Sequence, residues 1–193
     1  MLTQLSTLKK RLGLDLFNVT SDELLTSAIN ALSERFDREC CRTFARTVAV
    51  TEEFPADDLE IILSCYPVEA VSGFELKTTE AEGWVAQTGV DYILRRKCTV
   101  SLAQSLGTRD QLARLTYTGG YVLPGTSPGA GQTALPADIE QAVVEELAYW
   151  YTNKEKFGLV RTLPRSTVNT QLATIDLLPQ VKATLSQHIC YRL

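Results

Sequence analysis

The chain has 193 residues, 45% of them hydrophobic and 22% charged, with a net charge of −4. That is enough length for one domain with its own core, and too apolar for wholesale disorder. Proteins that grip nucleic acid through its phosphates carry a basic excess, which this chain lacks.

Thr3 to Leu12 reads as a short helix, with Leu5, Leu8 and Leu12 on one face and Gly13 as its stop. Asn18 to Glu23 offers N-cap residues followed by acids, which suit the positive end of a second helix. Leu24, Leu25, Ala28, Ile29, Leu32 and Phe36 carry its apolar face to about Cys41, and Glu34, Arg35, Asp37, Arg38 and Glu39 fill the other, most simply a solvated surface, or in a ring one that meets a neighbour. After Arg46 an alternating pattern replaces the helical one. Val48, Val50 and the stretch Glu52 to Phe54 mark one strand, Leu59–Cys65 a second, and Val68, Val71, Phe74 and Leu76 a third. Asp91–Leu94 and Cys98–Leu102 are short strands joined by the basic turn Arg95-Arg96-Lys97, and Leu112–Thr118 alternates again. No long helix lies between these runs, so the sheet they form is expected to be antiparallel.

Gly119-Gly120-Tyr121 ends the β-rich part, and Pro124–Ala134, with three glycines and two prolines, reads as a flexible loop. Pro136 opens a further helix with Ile139, Ala142, Val143, Leu147 and Trp150 as its stripe. Glu140, Glu145 and Glu146 toward its start and Lys154 and Lys156 toward its end complement the dipole, and Gly158 closes it. Pro164–Thr170 is polar and irregular, and Pro179 starts a last helix with Val181, Leu185 and Ile189 at four-residue steps. The expectation is an α+β fold in one domain, 1–193. Helices over about 3–41 and 136–193 form a bundle, 46–121 is β-rich and antiparallel, and 122–135 is a loop.

The residues give little support for chemistry. Gly125 to Thr133 is glycine-rich, but Gln132 stands where a phosphate-binding loop needs lysine, the spacing is one residue too long, and Pro128 removes a backbone donor. The acids Glu52, Glu53, Asp57, Asp58 and Glu60 lack the pattern of a calcium loop and read as a solvated strand edge or turn. Five cysteines, Cys40, Cys41, Cys65, Cys98 and Cys190, are too scattered for a disulfide framework. Cys40 and Cys41 read as small apolar fillers. His188, the one histidine, gives with Cys190 only two of the roughly four ligands that zinc requires, and no G-x-S-x-G turn is present. No catalytic residue, metal or cofactor is expected. Arg95, Arg96 and Lys97 form a small basic patch able to touch DNA phosphates or simply to be solvated. No apolar run follows Lys9-Lys10-Arg11, and no uninterrupted apolar run of about 18 residues occurs, so neither a secretory leader nor a membrane span is expected.

The order of segments adds more. Cys41-Arg42-Thr43-Phe44, Tyr66-Pro67-Val68-Glu69-Ala70-Val71, Asp91-Tyr92-Ile93-Leu94 and Leu115-Thr116-Tyr117-Thr118-Gly119-Gly120-Tyr121 follow one another through the middle of the chain. Leu135-Pro136-Ala137-Asp138-Ile139-Glu140-Gln141-Ala142-Val143, Trp150-Tyr151-Thr152-Asn153-Lys154-Glu155 and Leu178-Pro179-Gln180-Val181 with Tyr191-Arg192 complete the series. In this order, over nearly the whole chain, they resemble the tailed-phage head–tail connector (adaptor, head completion) family in its longer form. Gly119 stands where that family usually has alanine, and Lys154 where it has arginine.

The resemblance implies a structural virion protein without enzyme activity, made in the host cytoplasm and built into the head–tail neck. It would assemble as a homo-oligomeric ring, usually dodecameric, that docks on the portal protein, extends the DNA channel and meets a downstream neck or tail protein. DNA would pass through without sequence-specific binding. The segment expected to contact the portal is Leu185, Ile189, Tyr191, Arg192 and Leu193, an apolar and aromatic chain end that otherwise caps the subunit's own core. Arg95, Arg96 and Lys97 are candidates for a DNA-channel or subunit contact. The alternatives are another neck or tail-completion protein (a stopper or terminator) and, from a different class, a small DNA-binding factor or enzyme. The missing basic excess and the single histidine count against the last.

Overall fold

The computed structural model describes residues 1–154 and 176–190. Its elements run α1 (Leu5–Leu12), α2 (Asp22–Glu39), β1 (Thr47–Pro55), β2 (Glu60–Ile62), β3 (Val68–Lys77), β4 (Val85–Gln87), β5 (Tyr92–Arg95), β6 (Thr99–Leu102), β7 (Leu112–Gly119), α3 (Ala137–Asn153) and α4 (Pro179–Ser186). The fold is α+β, with helices from both ends of the chain and antiparallel sheets from its middle. The chain groups into two compact units. One is Met1–Glu39 with Pro136–His188; the other is Cys40–Leu135 with the chain from Ile189.

The helical unit is organised around α3, which packs against α1, α2 and α4. Its buried Ile139, Ala142, Val143, Val144 and Leu147 share a core with Leu8 of α1, Leu25, Ile29, Leu32 and Phe36 of α2, and Val181 and Leu185 of α4. Each of these side chains larger than alanine contributes about 1.5–3 kcal/mol when taken from water. Gly13 ends α1 at φ 67°, its N–H bonding the Lys10 carbonyl while the Leu14 N–H bonds that of Lys9. This left-handed cap favours glycine. Pro136 precedes α3 and Pro179 opens α4, where a missing N–H costs nothing. Glu146, expected as a dipole-complementing surface acid, is instead buried and accepts the Leu178 N–H at 2.9 Å. Burial pushes its carboxyl up, against the opposing pull of the Leu178 N–H and the Arg35 charge. The expected stop at Gly158 and the segment Pro164–Thr170 lie outside the described residues.

In the other unit the four-stranded sheet has the order β1-β7-β3-β4 and the three-stranded sheet β2-β6-β5, every ladder antiparallel. Both sheets feed one core, including Phe54, Ile61, Leu63, Phe74, Val100, Leu102, Leu115 and Tyr117. Strand β7 alternates as its sequence requires, with Ala113, Leu115 and Tyr117 inward. Strand β1 does not. A bulge between Thr47 and Val50, with Ala49 at φ 55°, inserts a residue and shifts the parity. Val48 is therefore 62% exposed although it alternates with Val50 and Phe54 in sequence. Strand β4 has three residues, too few for a period to register. The glycine-rich loop is closed at its neck by bonds from the Val122 N–H to Thr133 O (2.8 Å) and from the Leu135 N–H to Val122 O (3.0 Å).

Candidate functional site

Three of the sequence motifs meet in the β-rich unit around one side chain. Arg42 is 3% exposed, and its guanidinium carbon lies 3.3 Å from the Tyr66 ring centre, 4.7 Å from that of Phe44 and 5.3 Å from that of Tyr121. Its Nη2 donates to the Tyr66 carbonyl, and its Nε is buried without a hydrogen-bond partner. A weakly hydrated, planar cation tolerates such a site because ring faces replace water. Phe44 and Tyr121 stack at 6.5 Å, and the Tyr121 N–H bonds the Phe44 carbonyl at 2.7 Å. Burial pushes the Tyr66 phenol up, the Arg42 charge opposing.

The glycine pair serves the same junction. A Cβ on Gly119 would lie 2.2 Å from the Cys65 carbonyl oxygen, and one on Gly120, at φ 97°, 2.6 Å from that of Ala45. Gly120 alone uses the left-handed region; Gly119 is needed for close approach. Here the chain of motifs has a local physical cause: Arg42, Phe44, Tyr66, Gly119, Gly120 and Tyr121 form one packed joint.

The acidic cluster is not uniformly solvated as expected. Glu52 points inward, and its Oε2 accepts from the Tyr117 hydroxyl (3.1 Å), the Ser64 hydroxyl (2.8 Å) and the Ser64 N–H (3.1 Å). The Cys65 N–H donates to the Tyr117 oxygen at 3.0 Å. Burial, above all, pushes the Tyr117 phenol up to about 12. The donors around Glu52 make it a structural hub. Among the described residues, no group of three or more His, Cys, Asp or Glu side chains is placed to hold a metal, and no helix is long and apolar enough to cross a membrane.

His188 is paired, its Nε2 lying 3.0 Å from Asp138 Oδ2. Burial pushes the Asp138 carboxyl up, but the His188 bond and charge, with backbone N–H groups at the start of α3, hold it below its ordinary range. Cys40 is buried; Cys41, read as a second filler, is exposed at φ 51°.

Arg95, Arg96 and Lys97 all lie exposed on the β5–β6 hairpin. Arg95 pairs with Glu60 at 2.9 Å. Arg96 and Lys97 take φ 50° and 55°, the paired left-handed residues of a tight hairpin, without the glycine or asparagine that such a turn favours. A side chain in that conformation costs about 1–2 kcal/mol.

At the C-terminal end, Leu185 is 3% exposed in the helical core and Ile189 is half-buried. Cys190 is fixed in the other unit, its N–H bonding the Cys40 carbonyl at 2.8 Å. Tyr191, Arg192 and Leu193 lie outside the described residues. Leu185 is thus committed to the subunit's own core.

The sequence reading missed the α1–α2 loop. Phe17 is 92% exposed, beside Leu16 at 43% and Val19 at 73%, and Leu24 at the start of α2 is 48% exposed. Lys9, 3% exposed, holds this loop from within. It donates to the carbonyls of Asn18 (2.8 Å) and Leu16 (3.3 Å) and forms an ion pair with Asp22. The Phe17 N–H bonds Asp15 Oδ1 and the Thr20 N–H bonds Asn18 Oδ1, each at 3.0 Å. The available signal was apolar residues out of register between a stop glycine and a capping stretch.

No protein-family model and no curated protein matches the chain. Solved structures match in fold. A chain of the neck of an empty gene transfer agent particle, computed with C6 symmetry, is similar at a TM-score of 0.59 and 14% identity, the match covering 100% of this chain and 91% of that one. A chain of the virion of a native gene transfer agent particle is similar at 0.54 and 16% identity, with the same coverage.

Proposed function

We propose that this chain is a structural protein of the head–tail neck of a phage or phage-like particle, and within the neck an adaptor. It assembles as a ring against the portal, continues the DNA channel and offers a platform to the next neck or tail protein. The observation that carries this reading is the likeness in fold, over the whole chain, to a chain from the neck of a gene transfer agent particle. The order of the connector motifs supports it independently, and the Arg42 joint gives three of those motifs a shared structural purpose. That neck was computed with C6 symmetry, which is compatible with a dodecameric ring.

The mechanism is assembly by buried surface, with no covalent step. Glu52 is held by hydrogen bonds from Tyr117 and Ser64, and His188 is paired with Asp138. The portal contact falls to Ile189, Tyr191, Arg192 and Leu193, for which Leu185 serves as the buried anchor. Arg96 and Lys97 are the basic side chains offered to DNA or to a neighbour.

The test is native mass, for the protein alone and mixed with the portal encoded beside it. About one copy per portal subunit is the expected result. An intact portal that binds none, while a later neck complex does, replaces the adaptor by a stopper or terminator. Salt-sensitive DNA affinity without any neck complex overturns the structural reading altogether.

A further inference from the structure

Among the described residues, two of the surface regions that combine exposed large apolar side chains with charge carry opposite charge. The α1–α2 loop presents Leu16, Phe17 and Val19 beside the exposed acids Asp15 and Glu23. The β5–β6 hairpin presents Tyr92 (41% exposed) and Ile93 (65%) beside Arg96 and Lys97, with Arg95 paired to Glu60 and the exposed Asp91 at the other end of β5. Lys10 and Arg11 stand on the helical turn before the loop, but residues 14–23 themselves contain acids and no base.

Both regions are built to hold their shape. The loop is tied by the buried Lys9 ammonium and by two side-chain turns at Asp15 and Asn18. The hairpin keeps two cations at φ 50° and 55°, where glycine or asparagine relieves strain, and the Lys97 carbonyl accepts the Val68 N–H at 2.8 Å. Retaining charge against turn preference points to a use for that charge. Strand β5 is also an edge of its sheet, and an apolar edge left bare invites pairing.

A ring made of one kind of subunit needs two different faces that fit each other. We propose that the Phe17 loop of one copy docks on the β5–β6 hairpin of the next, Phe17 against Ile93 and Tyr92, with Asp15 and Glu23 facing Arg96 and Lys97. The proposal rests on the ring reading above, and it names the two faces that close the ring. The occupant is a second copy of this chain because apolar surface and opposite charge are both supplied by the chain itself.

The test uses the full-length protein with p-benzoylphenylalanine in place of Phe17, mixed with nitrogen-15-labelled wild type, assembled with the portal and irradiated. Cross-links from position 17 to the 92–97 segment that join light and heavy chains are the expected result; the mixed labels separate contacts between copies from contacts within one. Cross-links to another segment, to the portal or to nothing, in a sample whose mass shows an intact ring, overturn the proposal and leave the ring reading standing. Wild-type protein that forms no ring with the portal removes both. In parallel, Glu23→Lys and Lys97→Glu are each expected to weaken assembly about tenfold or more, and together to restore most of it. Failure of the double variant to recover, with melting temperatures unchanged, also overturns the pairing.

Discussion

Among the described residues each unit buries one cation, and the two are solvated in opposite ways. In the helical unit, Lys9 replaces water with oxygen: two loop carbonyls and the Asp22 carboxylate. In the β-rich unit, Arg42 replaces it mostly with ring faces, and one nitrogen has no hydrogen-bond partner. An ammonium is a compact, strongly hydrated charge and needs oxygen ligands, whereas a guanidinium stacks. The consequence for function is the contrast between their aromatics. Arg42 consumes Phe44, which is fully buried, while Lys9 fixes a backbone and leaves Phe17 92% exposed.

The hardest way to break the Arg42 side of this comparison is through its glycines. Gly120→Val puts a branched Cβ at φ 97° against the Ala45 backbone, neither of which yields easily. A loss of about 3 kcal/mol or more is expected in chemical denaturation. Next, Arg42→Met removes the cation and leaves the Tyr66 carbonyl without its donor, for a loss of about 2–4 kcal/mol. Arg42→Lys sharpens the comparison, because it keeps the charge and loses the planar face. If stacking rather than charge holds the joint, lysine recovers less than half of the loss; full recovery removes the distinction between the two cations.

The joint explains which parts of the site were legible in the sequence. Arg42, Phe44, Tyr66, Gly120 and Tyr121 stood inside separate motifs, yet nothing in those motifs says that they touch, because the contacts between motifs join residues separated by 24 to 79 positions in the chain. Long helices and alternating strands were readable because burial imposes a period on them, as in α2 and β7. Local insertions were not: one bulge in β1 moved Val48 to the surface, and β4 was too short. Glu52 and Glu146 looked like surface acids because sequence shows charge and not the donors, Tyr117, Ser64 and Leu178, that make burial tolerable.

Tyr117 offers a smaller test. Tyr117→Phe deprives the Cys65 N–H of its acceptor and Glu52 of a donor, a cost of about 1–2 kcal/mol near neutral pH. The variant also changes the pH profile. An unfolded tyrosine ionises near pH 10, whereas the folded one holds its proton to about 12. Between those values the folded state binds more protons than the unfolded state, so wild-type stability is full below the window and falls as pH rises through it. The difference in stability between wild type and Tyr117→Phe should therefore shrink and reverse as pH passes from about 9 to 12, by an amount on the order of 2–3 kcal/mol. A difference that stays constant over that range contradicts the burial assigned to the phenol.

The smallest expected effect bears most on function. Phe17→Ser touches a side chain that contributes no buried area to its own chain, so the melting curve of the monomer should move by no more than about 0.5 kcal/mol. Lys9→Met should cost about 1–2 kcal/mol and raise amide exchange across 14–21, because the loop carbonyls lose the cation that gathers them. A protein with no external use for Phe17 has no reason to hold it bare on a loop tied down from inside, since an exposed aromatic favours aggregation and contributes nothing to the fold. If Phe17→Ser destabilises the isolated chain as much as Lys9→Met does, the ring packs internally and the contrast with Phe44 collapses. If it leaves the chain intact and abolishes assembly, the two aromatics mark the two ways this subunit spends apolar surface, one on its own joint and one on its neighbour.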